Sequence, residues 1–88
     1  MAPETQAPLK VYWQPGCSSC LKTKEFLIAN GMEFDSINVL EDERGFKDLE
    51  AFGVKLVPIV ARGSDWANGA VFRDVARVAG FAWVGHEI

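Results

Sequence analysis

Two cysteines three positions apart, Cys17 and Cys20, are the residues of this 88-residue sequence whose type and spacing point most directly to chemistry. They enclose Ser18-Ser19 and follow Pro15-Gly16, a pair that interrupts regular structure. Ahead of that breaker, Leu9-Lys10-Val11-Tyr12-Trp13 is rich in strand-forming residues. Behind it, residues 17–30 contain neither Gly nor Pro, as a helix requires. A C-x-x-C between a strand and a helix is a redox dithiol candidate. A sulfur at a helix entrance faces unpaired backbone N–H groups and the positive end of the helix dipole, both of which favour the thiolate. The two positions therefore predict unequal roles. Cys17 is the exposed nucleophile; Cys20, one turn in, is the buried partner that resolves the mixed disulfide.

Other uses of the pair are weaker. Zinc needs about four ligands, and beyond the two cysteines the chain offers only the remote His86, so no metal site is expected. Inert core cysteines would not need a Pro-Gly breaker to aim the first one. A structural disulfide belongs to exported proteins, and residues 1–8 lack the basic start and apolar stretch of a secretory signal. They read as a flexible lead-in, and the expected compartment is the reducing cytoplasm.

Length and composition set the frame. Eighty-eight residues suit one domain, and 49% hydrophobic residues suit a packed core rather than a disordered chain. A formal charge of −3 lacks the basic surplus of a nucleic-acid binder. No apolar run approaches the ~20 residues that span a bilayer.

The elements that must position the cysteines follow from local pattern. In the first helix Cys20, Thr23, Phe26 and Leu27 share a face, while Lys22 and Glu25 turn to water and Gly31 marks the end. Lys22 and Lys24 read as solvated surface, and Trp13 as packing more than as a flank of the site. A second strand is expected over residues 32–39. The acidic Glu41-Asp42-Glu43 suits the start of a helix whose apolar positions are Phe46, Leu49 and Phe52, with Gly53 as its stop. Residues 54–62 contain a buried strand entered through Pro58, which cannot donate to a ladder. Gly63-Ser64-Asp65 turns into a short strand around Trp66, as apt for the core or hairpin as for the site. Asn68 is a candidate cap for a last helix carrying Val71, Val75, Val78 and Ala79, ended by Gly80. Two leading strand–helix–strand steps favour parallel pairing and the turn at Gly63 favours a hairpin. The expectation is an α/β domain over residues 9–80: a four-stranded mixed sheet with three helices, in the order strand, helix, strand, helix, strand, strand, helix. Residues 81–88 form an apolar tail that packs back or leads into a longer chain.

The segment Val11-Tyr12-Trp13-Gln14-Pro15-Gly16-Cys17-Ser18-Ser19-Cys20 resembles the active site of the glutaredoxin branch of the thioredoxin fold. Val57-Pro58 resembles that family's second hallmark, a cis-proline facing the cysteines, whose preceding residue offers backbone hydrogen bonds to an extended thiol substrate. Asn68-Gly69 stands where many glutaredoxins carry Gly-Gly. The resemblance implies a thioredoxin-like fold and a thiol–disulfide oxidoreductase with catalytic Cys17 and Cys20. Substrate or glutathione would contact Gln14, Gly16, Ser18, Val57, Pro58, Asn68 and Gly69. It implies no tightly bound cofactor, with glutathione a candidate reductant or co-substrate and thioredoxin reductase a candidate partner. The partners are disulfide-containing proteins or glutathione, without nucleic acid or membrane, and the chain is a monomer or a domain of a longer one. There are departures. Ser18-Ser19 replaces Pro-Tyr, Gln14 replaces a lysine that meets a glutathione carboxylate, and Ala70-Val71-Phe72 replaces the acidic residue that meets its amine. These losses favour protein disulfides, as in the glutaredoxin-like electron donors of ribonucleotide reductase, which carry a Trp near the position of Trp66. Two further resemblances remain: an iron–sulfur-binding glutaredoxin-like module, suggested by Ser18, and an arsenate-reductase- or Spx-like protein, suggested by Pro15 through Cys20.

Overall fold

The computed structural model describes residues 7–83; His86 and most of the lead-in and tail lie outside the described residues. The chain runs β1 (Leu9–Trp13), α1 (Ser18–Ala29), β2 (Asp35–Asn38), α2 (Glu43–Phe52), β3 (Ile59–Arg62), β4 (Asp65–Asn68) and α3 (Phe72–Ala79). The strands form one mixed sheet in the order β2-β1-β3-β4. β2 lies parallel to β1, whereas β3 is antiparallel to β1 and to β4. The first crossover is thus parallel as expected and the second is not: β3 skips its predecessor β2 and pairs with β1 from the opposite direction. Both β2 and β3 are shorter than the segments expected to form them, since residues 32–34 and 54–57 connect elements instead of joining the ladder.

Alternation along β1 sorts its side chains onto two faces. Leu9 and Val11 enter a core with Leu27, Val60, Ala67, Val75, Val78 and Ala79, beneath α1 and α3. Tyr12 enters the core of the other face with Ile37, Leu49, Ile59 and Ala61, beneath α2. Trp66 packs on this second core and stacks on Phe52 at 5.9 Å, which gives it a packing role. The Tyr12 hydroxyl donates to Asp48 Oδ2 at 2.6 Å, tying β1 to α2. Burial first, and then the carboxylate partner, push that hydroxyl well above the ordinary phenol range.

The helix ends are specified locally. Asp42 caps α2, its carboxylate accepting from the Arg44 backbone at 2.9 Å. The Arg44 guanidinium, bonded to the same carboxylate, holds Asp42 below the usual carboxylate range. Gly53 closes the helix with φ 78°, a conformation that suits glycine. Two expectations for helices fail. Phe46 is 63% exposed, and Gly45 with Leu49 forms the buried face of α2 instead. Asn68 does not cap α3; Val71 occupies that position without a side-chain cap bond and is itself exposed. The Asn68 carboxamide bonds the Ala70 N–H at 2.9 Å, a two-residue turn that competes with distant capping.

Gly45 shows how closely α2 lies on β2. A Cβ there would stand 2.9 Å from both Ile37 Cγ2 and Val39 Cγ1. Gly45→Ala gains about 1 kcal/mol of helix propensity but meets an overpacking cost of about 1–3 kcal/mol. The expected result is a net loss of about 1 kcal/mol, read as a lower urea midpoint; a raised midpoint would contradict the close approach.

On the other helical face, Phe26 of α1 stacks on Phe72 of α3 at 4.1 Å. Phe81 and Trp83 add their rings to Phe26 at 5.6 and 5.4 Å. The described part of the apolar tail therefore closes over α1 and α3, where such aromatic pairs contribute about 0.5–1.5 kcal/mol each beyond burial.

Candidate active site

The register of the sheet gathers the site at one end. Tyr12, near the end of β1, pairs with Ile59, the first residue of β3, and Ile59 pairs with Asn68, the last of β4. What leaves or enters those strands must meet: the Gln14–Gly16 loop, Val57-Pro58 and Gly69. Gly16 turns the chain with φ 82° and delivers Cys17 to the entrance of α1.

Cys17 is the N-cap of that helix, in extended backbone, and its Sγ accepts from the Cys20 N–H at 3.1 Å. Cap positions normally hold an oxygen acceptor; here the acceptor is sulfur. The two cysteines are joined as a disulfide with their Cα atoms 5.2 Å apart. Cys17 is half-buried and Cys20 only 1% exposed, so an approaching group reaches the first sulfur. Around them lies a shallow cleft of about 340 Å³ lined by Trp13, Gln14, Gly16, Cys17, Ser18 and Lys24, among others.

Trp13 flanks this cleft rather than filling a core. It follows Val11 onto the α1 side of the sheet, but at the last strand position it has passed the core and meets helix α1 beside the cysteines. Lys24 Nζ sits 3.8 Å from the centroid of its ring, a cation–π contact. Lys22 remains in solvent.

Pro58 is held against α1 by a contact that local pattern does not announce. The Val57–Pro58 peptide is cis and the proline is buried. Its carbonyl accepts from the Gly69 N–H at 2.8 Å. The Thr23 hydroxyl lies 2.8 Å from the Gly69 carbonyl oxygen, to which it donates, and 3.0 Å from the Ser19 carbonyl one turn back, a second acceptor. Thr23 is 0% exposed. A buried hydroxyl left unpaired costs about 1–3 kcal/mol, so this threonine anchors the active-site helix to the proline loop. The available signal was a polar residue on the buried stripe of α1. Gly69 is the spacer: a Cβ there would lie 2.9 Å from Pro58 Cβ and 3.0 Å from Thr23 Cγ2.

The structure thus brings Gln14, Gly16 and Ser18 to the rim of the cysteine cleft, Val57 to the neighbouring groove, and Pro58 and Gly69 against the helix. Asn68 is exposed, its side chain engaged with Ala70. Among the described residues, no three His, Cys, Asp or Glu side chains converge as a metal site, and no helix is long and apolar enough to cross a membrane.

Known proteins match this arrangement. The family model described as Glutaredoxin matches residues 9–65. The Gene 56 protein of Mycobacterium phage L5 is 36% identical over a 55-residue alignment that covers 58% of this chain and 53% of that protein. The chain therefore spans about half the length of this curated relative. The glutaredoxin-like protein NrdH-redoxin from Escherichia coli superposes with a TM-score of 0.71 at 25% identity, over 81% of this chain and 93% of that one. Glutaredoxin grx-1 from Archaeoglobus fulgidus superposes with a TM-score of 0.70 at 25% identity, over 85% and 88% of the two chains.

Proposed function

This chain belongs to the glutaredoxin family, and from that premise we propose that it is a thiol–disulfide oxidoreductase whose Cys17–Cys20 dithiol reduces disulfides, preferentially those of proteins. The observation that carries this is the sulfur of Cys17 acting as the acceptor at the start of α1, with Cys20 buried behind it. In the reduced protein the Cys17 thiolate attacks one sulfur of a substrate disulfide; a Cys17–substrate bond forms and the other substrate sulfur leaves with the electron pair and takes a proton. Cys20 then loses its proton, attacks Cys17 Sγ and displaces the second substrate thiol. Two electrons pass to the substrate, and the protein is left with the Cys17–Cys20 bond seen in the structure.

Val57, Pro58 and Gln14 are the residues proposed to line up the incoming chain, Val57 through its backbone as in strand addition. Gln14 supplies no positive charge for a glutathione carboxylate, and Ala70-Val71-Phe72 supply no negative charge for its amine. Each missing charge-assisted bond is commonly worth about 1.5–3 kcal/mol. The thioredoxin-like activity profile stated for the E. coli NrdH-redoxin accords with this choice. Thioredoxin reductase is accordingly the proposed recycler, ahead of glutathione.

The test supplies the oxidised protein with NADPH and either thioredoxin reductase or glutathione with glutathione reductase, using insulin as disulfide substrate. Turnover with thioredoxin reductase, several-fold above that with glutathione, is the expected result. Turnover with glutathione alone would reverse the assignment of recycler, and turnover with neither would remove the oxidoreductase function.

A further inference from the structure

The cysteine cleft holds a charge that the exchange steps above do not use. Of the residues lining it, Lys24 alone is charged, and apart from the cysteines none of them titrates. Val57-Pro58 and Asn68-Gly69-Ala70, which close on α1 from the other strands, bring no charge either. Lys24 stands one turn beyond Cys20 on α1, and a long helical side chain leans back over the turn that precedes it. It is half-buried, whereas Lys22 is exposed. Its ammonium rests 3.8 Å from the centroid of the Trp13 ring and, among the described residues, has no carboxylate within ion-pair distance. The Trp13 indole N–H is buried and has no acceptor among those residues. No hydrogen bond of its own therefore orients the ring, and its face is the part that engages a partner, the cation.

We infer that Trp13 holds the Lys24 ammonium at the cleft so that its charge stabilises the Cys17 thiolate of the reduced protein. Both are positioning residues: Lys24 acts on the reaction through Cys17, and Trp13 acts through Lys24. The inference rests on Cys17 being the nucleophile, as proposed above, and adds a side-chain charge to the field of the helix start. A cation beside a thiol favours its charged form. A lysine without an anchor would extend its ammonium into water, where the same charge is screened. The ring removes that freedom, and no nearby carboxylate cancels the charge.

The test follows the pH dependence of iodoacetamide alkylation in reduced Cys20→Ser, alone and combined with Lys24→Met, Lys24→Arg or Trp13→Leu. Each alkylation joins the Cys17 sulfur to the reagent's carbon and expels iodide. Lys24→Met keeps an unbranched side chain on the ring and a good helix former in α1, and removes only the charge. Its midpoint is expected to rise by about half a unit to one unit and to stay below the ~8.5 of a free cysteine. Lys24→Arg keeps both the charge and the stacking, so the midpoint should not move. Trp13→Leu is expected to raise the midpoint when Lys24 is present and to add nothing once Lys24→Met has been made, a coupling that a packing role would not produce. An unmoved midpoint in Lys24→Met, a rise shared by Lys24→Arg, a rise all the way to that of a free cysteine, or additive effects of the two substitutions would each overturn the inference. Cys20→Ser alone separates the two levels. If its Cys17 titrates like a free cysteine, the assigned nucleophile fails and Lys24 with it; if the midpoint is low but indifferent to Lys24→Met, the lysine alone is wrong.

Discussion

Cys17→Ser is expected to end disulfide exchange, lowering the rate by at least about 10³-fold, while Cys20→Ser is expected to stall with its substrate attached. The asymmetry follows from position. Cys17 is the half-buried cap sulfur that an incoming disulfide can reach, and a serine hydroxyl there is not a nucleophile at neutral pH. Cys20 sits 1% exposed within the first turn and can reach only the sulfur of Cys17. In Cys20→Ser the first attack should keep most of its rate, and a covalent adduct of protein and substrate should persist. Stopped-flow absorbance measures the first step and intact-mass measurement the adduct. Equal losses in both variants without an adduct would show that the roles are not divided in this way.

Gly69→Ala is the second large effect, and it tests how the proline loop is held. The new methyl would enter between Pro58 Cβ at 2.9 Å and Thr23 Cγ2 at 3.0 Å, and neither neighbour is the free end of a long side chain. Relief requires the loop and α1 to separate, which strains the Thr23–Gly69 and Gly69–Pro58 hydrogen bonds. A stability loss of about 1–3 kcal/mol is expected. The exchange rate should fall about tenfold or more, because sub-ångström misplacement of a substrate-holding loop is costly. Gly45→Ala is the control. It overpacks α2 against β2, far along the chain from the cysteines, so it should lower stability while leaving the rate on a small disulfide intact. If Gly69→Ala loses stability but no rate, Pro58 does not position substrate.

Much of the site was legible because it is local. A breaker, a cysteine and a Gly-free run specify a helix whose first acceptor is sulfur, and that information lies within a few residues. The order of elements was legible for the same reason, as was the burial of Cys20, Thr23 and Leu27. Strand direction was not. Nothing in the run from Leu56 to Ala61 says that it pairs with β1 rather than β2, because that choice is made by two cores on opposite faces of the sheet. Asn68 was misassigned because its side chain satisfies a backbone group two residues on before it can reach α3. Phe46 was misassigned because helical spacing describes an apolar set without saying which member a neighbouring glycine displaces. Thr23 was placed on the shared face of α1, but its anchoring role was not legible, because its partner Gly69 lies forty-six positions away.

The most direct measurement is the ionisation of Cys17 itself, followed in reduced Cys20→Ser by the pH dependence of its alkylation by iodoacetamide. The helix dipole contributes about 0.3–1 kcal/mol and a hydrogen bond to a charged acceptor about 1.5–3 kcal/mol, at 1.36 kcal/mol per pH unit. The midpoint should therefore lie about 1–3 units below the ~8.5 of a free cysteine. A midpoint at or above 8.5 would mean that the start of α1 does not stabilise the anion, and the nucleophile would have to be sought elsewhere.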